Sequence, residues 1–596
     1  MKKLALVLAV VMVLSLGLTA CGGSTSSTGT ASSAPAGSSS SGSASDAAPA
    51  YNPDALQVKA LDDNTLQVTL TARTPYFLEL TAFPAYAPVQ QATVEANGEA
   101  WAVDAATYIG NGPYKIAEWV PSSHITMVKN ENYWNVDSLA GPDTLQFTLM
   151  EDDAAQLTAF QSGELDFIDT VPNDEIDALS STPEFYKEGQ IGTYYVSYNT
   201  QAAPFDDPLV RQAFTLAVDR DYICKQIGKS GQIPAGAFVS EGLSDAAEGS
   251  SFREVGGDYY DPTAEANEAN LAKAKELLAE AGYPNGEGLP TITYLYNEGT
   301  AHQQVGEALQ QMWGQLGATV TLESQEWATF LNTRKNGDYQ VARNGWLGDY
   351  NDPISFLDMW ITGGGNNDAQ WSNAEFDSLI KQIKSSGDAE ARMEMMHQAE
   401  DIIFDEWMLC PIYYYVDIYM AQQNLENLST SPLGFKFFMN ASNGTDTLKV
   451  CTGPDPDTID PALNSAVDGG TMIDHAFEGL YTVAYGTTPT PGQAESVEIS
   501  EDGLTYTFHL REGLKWSDGT PLTAHDFVYS WQRAVDPATG ADYAYMFECI
   551  AGYTEAINGE EYVAPAADAS SASTSESAAE SVSASTSESA SASAAA

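Results

Sequence analysis

The chain has 596 residues, 82 of them acidic and 25 basic, for a formal charge of −57. So acidic a chain repels nucleic acid and anionic lipid, which makes both poor partners. At 43% apolar residues the composition is globular, and the about 500 residues between two polar ends suffice for two or three domains with large cores.

In chain order, Met1-Lys2-Lys3 is a basic start and Leu4 to Leu18 an almost unbroken apolar run. The run is shorter than the ~20 residues a spanning helix needs, so residues 1–20 read as an export signal. Its ending, Leu18-Thr19-Ala20-Cys21, resembles a bacterial lipoprotein signal. That resemblance implies lipidation of Cys21 and a membrane anchor there; the competing reading is a plain secretory signal with an incidental cysteine. Residues 21–50 are mostly Ser, Gly, Ala and Thr, and 563–596 mostly Ser, Ala and Glu. Such stretches cannot bury enough apolar surface to order themselves and read as a tether and a disordered tail.

Between them, Asp62-Asp63-Asn64 signals a turn, and Leu66, Val68 and Leu70 then alternate with polar residues as in a half-buried strand. Residues 266–281 predict an amphipathic helix from Leu271, Ala274, Leu277, Leu278 and Ala281, with Gly282 and Pro284 ending it. Thr291 to Tyr296 reads as a strand, and helix then strand recur at Glu307–Leu316 and Val320–Leu322. After the turn Glu501-Asp502-Gly503, Leu504, Tyr506, Phe508 and Leu510 share one face of a strand. The pattern is mixed α/β.

Catalytic signatures are missing. HExxH, GxSxG, GxxxxGK[ST] and a helix-opening GxGxxG do not occur, and the six histidines are scattered. Cys224, Cys410, Cys451 and Cys549 lack metal spacing and read as buried thiols, with one disulfide left open. Pro454 to Asp460 is acidic but lacks the glycine and glutamate of a calcium loop, so it reads as turns and caps. The expectation is no enzyme, no cofactor and no metal.

Five segments then carry a resemblance. AESVEISEDGLTYTFHLREGLKWSDGTPLTAHDFVYSWQRAVDP (494–537) looks like the signature region of the bacterial oligopeptide/dipeptide solute-binding proteins, extracellular receptors of ABC importers. YNTQAAPFDDPLVRQAFTLAVDRDYI (198–223), NGPYKIAEW (111–119), AKELLAEAGYPNG (274–286) and WLGDYNDPISF (346–356) resemble the same family. It implies an α/β fold of the periplasmic-binding-protein type II, with three domains in two lobes and a ligand cleft between them. Short peptides are the implied ligand and ABC permease subunits the implied partners of a monomeric, lipid-anchored protein outside the cell membrane, periplasmic if there is an outer membrane.

The resemblance also implies roles. Asp349 would meet a peptide's α-ammonium; the competing role is a turn cap beside Asn351 and Pro353. Trp346 would flank that end, or simply pack. Arg343 and His302 would meet the peptide carboxylate, against an internal ion pair and a helix-start histidine. Backbone at Gly345, Trp346 and Leu347, and at Asn464, Ser465, Ala466 and Val467, would pair with the peptide like an added strand. Asn199 is a further backbone-contact candidate. FPAYAPV (83–89) and the AESVEI to WSDG region read as scaffold.

One feature departs from the family. Its opening segment resembles 446–482 here, and its closing segment resembles 431–442, which runs directly into Asn443-Gly444-Thr445. The stretch expected after 556–562 stands instead at 52–70. The chain therefore looks circularly permuted, with a gene-model or assembly error as the alternative. The expected domains are a small domain from 51–125 and 476–562; lobe I from 126–240 and from 416–475, the fused ends; and lobe II from 241–415. The competing functions are an extracellular hydrolase, and a sensory or structural surface protein that keeps the fold without transport.

Overall fold

The computed structural model describes residues 51–247, 249–484 and 488–564. The export signal, the tether with Cys21 and the tail from 565 lie outside the described residues.

Local signals set the first sheet. Asp62 closes its turn by accepting from the Asn64 amide at 2.9 Å. In the strand Thr65–Thr69, Leu66 and Val68 point inward and the threonines and Gln67 are half-buried. Their cross-strand partners are Phe508 and Tyr506 of Thr505–Leu510. Val58–Asp62 and Ala494–Ile499 flank this pair to complete a four-stranded antiparallel sheet. The beginning and the end of the described chain thus form one sheet. The helix Ala524–Val535 covers it with Phe527, Trp531, Ala534 and Val535 buried, and starts at a Thr523/Asp526 capping box.

A second sheet of eleven strands spans the rest. Its axis is two long antiparallel strands, Phe185–Tyr198 and Leu409–Ala421. On one side follow Val341–Leu347, Ile292–Asn297 and Val320–Gln325; on the other Phe167–Ile168, Thr447–Gly453, Thr144–Leu149, His124–Lys129 and Tyr114–Val120. The long strands belong to both halves. Their register shifts between Pro411 and Tyr413 and between Tyr414 and Val416, and such bulges bend a strand.

The helix expected over 266–281 spans Asn267–Glu280 and buries Ala274, Leu277 and Leu278. Gly282 follows at φ +95°, a conformation glycine adopts without penalty. The expected strand, helix and strand are Ile292–Asn297, Thr300–Gly314 and Val320–Gln325, the helix starting seven residues before the expected 307, and the two strands pair in parallel. The four described cysteines are buried and unpaired. Asp460, last of the acidic stretch, accepts from the Trp101 indole, the Ala462 amide and Arg533, so it works as a cap and an ion-pair partner. Among the described residues no helix is long and apolar enough to cross a membrane.

Candidate functional site

A cavity of about 490 Å³ lies between the halves of the large sheet. One half contributes 297–302 and 327–349, the other 151–171 and 452–470, and the long strand Leu409–Ala421 passes beneath through Tyr415–Ile418.

The segment 346–360 holds three aspartates in apolar surroundings, and their partners differ. Asp352 is gripped by both terminal nitrogens of Arg392, at 2.7 and 2.8 Å. Asp358 lies 3.1 Å from the Lys384 ammonium. Asp349 faces the cavity with no cation at ion-pair distance among the described residues. Its Oδ1 accepts from the Tyr543 hydroxyl at 2.9 Å and its Oδ2 from the Ser355 hydroxyl at 3.2 Å. Burial pushes its carboxyl well above the ordinary carboxylate range, against the pull of those two hydrogen bonds. A carboxylate so placed is poised to take up a cation.

Trp346 is 8% exposed, and its indole N–H donates to the Ser355 carbonyl at 2.8 Å. Its ring leans toward Tyr543, which also meets Phe83 edge-on. Asp349 is therefore walled by aromatic rings, which strengthen any charge pair formed there by excluding water.

Arg343 also lines the cavity. Its Nη2 reaches the Tyr415 hydroxyl at 3.5 Å and its guanidinium lies 5.2 Å from the Tyr194 ring centre. No carboxylate stands within ion-pair distance of it among the described residues, whereas Arg334 pairs with Asp368 and Lys335 with Asp542. His302 sits beside it, with Nδ1 3.3 Å from the Tyr194 hydroxyl. Burial, then the Arg343 charge, hold its pKa well below the ordinary value, so the ring is neutral near pH 7.

The strand Val341–Leu347 is paired along its whole length with Phe185–Tyr198. On its other edge it meets Ile292–Asn297 only at Val341 and Ala342. Residues 343–347 therefore present an unpaired sheet edge toward the cavity, the geometry that accepts an added strand. Gly345 has a local reason too: a Cβ there would fall 2.3 Å from the Tyr415 hydroxyl. Opposite, Asn464 folds onto its own loop, bonding the amide and carbonyl of Ala466. Ser465 donates to Asp542 at 2.9 Å, and Val467 opens the helix Val467–Ala476.

The structure thus brings Asp349, Trp346, Arg343, His302, Gly345, Leu347, Asn464, Ser465, Ala466 and Val467 to one cavity. Asn199 is not among the lining residues. Its amide donates to the carbonyls of Gly337 and Tyr339, at 2.8 and 3.0 Å, so it ties the turn before Val341–Leu347 to the long strand. A second correction concerns FPAYAPV, whose Phe83 and Pro84 line the cavity. Of the partners of Asp349, Ser355 lies within the segment 346–356, whereas Tyr543 carries no motif that would reveal it in the sequence.

The family model described as bacterial extracellular solute-binding proteins, family 5 middle, matches residues 27–368 and 488–586. The dipeptide-binding protein DppE of Bacillus subtilis is 37% identical over 385 residues, 64% of this chain and 69% of the relative. The oligopeptide-binding protein OppA of the same organism is 35% identical over 400 residues, 65% of this chain and 71% of the relative. Among solved structures, the murein tripeptide-binding protein MppA of Escherichia coli superposes with a TM-score of 0.58 at 30% identity, covering 64% of this chain and 72% of that one. Haemophilus influenzae OppA in complex with RPPGFSPFR gives a TM-score of 0.58 at 29% identity, covering 62% and 71%. By these matches and by its fold, the chain belongs to the bacterial extracellular solute-binding proteins of family 5.

Proposed function

We propose that the protein is the receptor of an ABC importer and captures short peptides between two lobes, for delivery to a membrane permease. The observation that carries this is Asp349, a buried carboxylate of the cavity left without a cation while its chain neighbours Asp352 and Asp358 have theirs. A peptide's α-ammonium supplies the missing charge, in a charge-assisted hydrogen bond. The free edge of 343–347 takes the extended backbone, and Arg343 takes the carboxylate as a bidentate partner. Main-chain pairing reads no side chain, so many sequences fit. Each buried charge is costly alone and satisfied by ligand, so ligand favours the closed arrangement. The site binds and releases without chemistry. The relatives named for dipeptide, oligopeptide and tripeptide binding support the same ligand class.

The anchor belongs to this proposal: Cys21, lipidated, would hold the receptor at the outer face of the membrane through the tether 21–50. Mass spectrometry of protein extracted from membranes without denaturation tests both parts. The expected species begins at a lipid-modified Cys21 and releases peptides of a few residues on unfolding. An unmodified start, or a full set of non-peptide small molecules, would count against the anchor or the ligand class respectively.

The permuted order is likewise proposed, and two features support it. The Asn52 amide donates to the Ala556 carbonyl at 2.9 Å, and its side chain to the Glu560 carbonyl at 2.6 Å, so the described ends adjoin. At the other joint, Gly444 turns at φ +81°, and the Asn443 side chain accepts from the Thr445 amide at 2.9 Å. Exposed joints of this kind leave core contacts intact. A chain opened between Asn443 and Gly444 and joined from 562 to 52 is expected to fold and bind as this one does. Loss of cooperative unfolding in the rearranged chain would contradict the permutation.

A further inference from the structure

Beyond Asp349, the cavity wall carries further acceptors. Glu151 follows the strand Thr144–Leu149, and Asp153 opens the helix Asp153–Gln161. Glu298 follows Ile292–Asn297 in the opposite half of the sheet. All three line the cavity, and none has a lysine or arginine at ion-pair distance among the described residues. The halves touch here: the Trp327 amide donates to Glu151 at 3.2 Å, and the Thr300 hydroxyl to Asp153 at 2.9 Å.

A neutral side chain points the same way. Gln156 lines the cavity and is 2% exposed. Its amide nitrogen donates to the Met150 carbonyl at 2.9 Å, while its Oε1 has no partner among the described residues. The Oδ1 of Asn297, next to Glu298, has none either. Two unfilled amide oxygens and three carboxylates without a cation make a wall rich in acceptors. Like charges brought together from opposing halves repel, and burial adds to the cost. Glu151 shows it: burial first, then Glu298 and Glu326, push its carboxyl up to about 7. Among the described residues no three such groups are close enough to hold a metal ion. A ligand with several N–H donors on a long stem fits better.

We propose that this wall is a subsite for a positively charged side chain of the bound peptide, a lysine ammonium or an arginine guanidinium, held by Glu151 and Glu298. The inference rests on the peptide-receptor reading and deepens it, adding preference at one position to an otherwise tolerant backbone grip. It uses residues other than Asp349 in the same cavity.

Calorimetric titration of the purified protein tests it, with alanine tri- to pentapeptides carrying one lysine at each position in turn, and with norleucine counterparts of matching length. At one position lysine is expected to bind at least about tenfold tighter than norleucine, the factor that one net charge-assisted contact supplies. In Glu151→Gln/Glu298→Gln that ratio should fall to about one. Equal binding of lysine and norleucine at every position of the native protein would overturn the subsite and leave the receptor reading standing. A ratio unchanged in the double variant would overturn its assignment to these residues. Failure of every peptide to bind would overturn the receptor reading and the subsite with it.

Discussion

Asp349→Asn is expected to abolish capture of free-amine peptides while leaving the empty protein at least as stable as before. The variant keeps shape and can still accept from Tyr543, so the aromatic wall persists. What it loses is the charge opposite the ligand's ammonium. Truncating one member of a buried, hydrogen-bonded charge pair costs about 2–5 kcal/mol, or roughly thirtyfold to several-thousandfold in affinity. Stability moves the other way. Because burial raises the Asp349 carboxyl in the folded state, ionising it opposes folding. That cost is absent below the unfolded carboxylate pKa of about 4 and grows as pH rises toward the folded value. The empty variant should therefore melt higher than the native protein at neutral pH, with the gap closing in acid. Thermal unfolding with and without peptide, across pH, checks both halves. Native affinity in the variant would remove Asp349 from the site.

Three residues away, the same chemistry predicts the opposite result. Arg392→Leu should destabilise the protein by about 3–5 kcal/mol, because it strands Asp352 as an unpaired buried charge. Asp352 is 7% exposed, and both its oxygens are occupied by the guanidinium. The Arg392 guanidinium also lies 5.2 Å from the Tyr76 ring centre, and Tyr76 stacks on Tyr350. Leucine cannot replace that anchor. Denaturant unfolding measures the loss, and a change below about 1 kcal/mol would contradict the pairing. Within one fifteen-residue segment, then, one aspartate holds the fold and another waits for ligand. The difference lies in what stands opposite each.

That difference also shows what the amino-acid sequence could and could not disclose. Alternation placed Leu66 and Val68 inside, and a 3.6-residue period placed Ala274, Leu277 and Leu278 on one helix face. Both signals are local, because the periods of strands and helices are set by the backbone. The family resemblance added Asp349, Trp346, Arg343 and His302, which the fold brings to one cavity. Partners distant in the chain were not legible. Tyr543 reaches Asp349 across 194 positions, and nothing near either residue announces the other. Asn199 misled for a related reason. A buried asparagine suits a ligand's backbone and a protein's own backbone equally, and here Gly337 and Tyr339 use it. Phe83 was read as packing, and it packs against Tyr543 on the cavity wall, so scaffold and site are one surface there.

In the proposed site a peptide's ammonium supplies the cation Asp349 lacks. A calorimetric comparison of one short alanine peptide with its N-acetylated form isolates that charge. Acetylation removes the positive charge and keeps the backbone that pairs with 343–347. Saturable binding of the free peptide is expected, with a loss of at least about a hundredfold for the acetylated one, within the range for a severed buried charge pair. Equal affinity for the two would show that Asp349 does not read the ammonium, and would contradict the account.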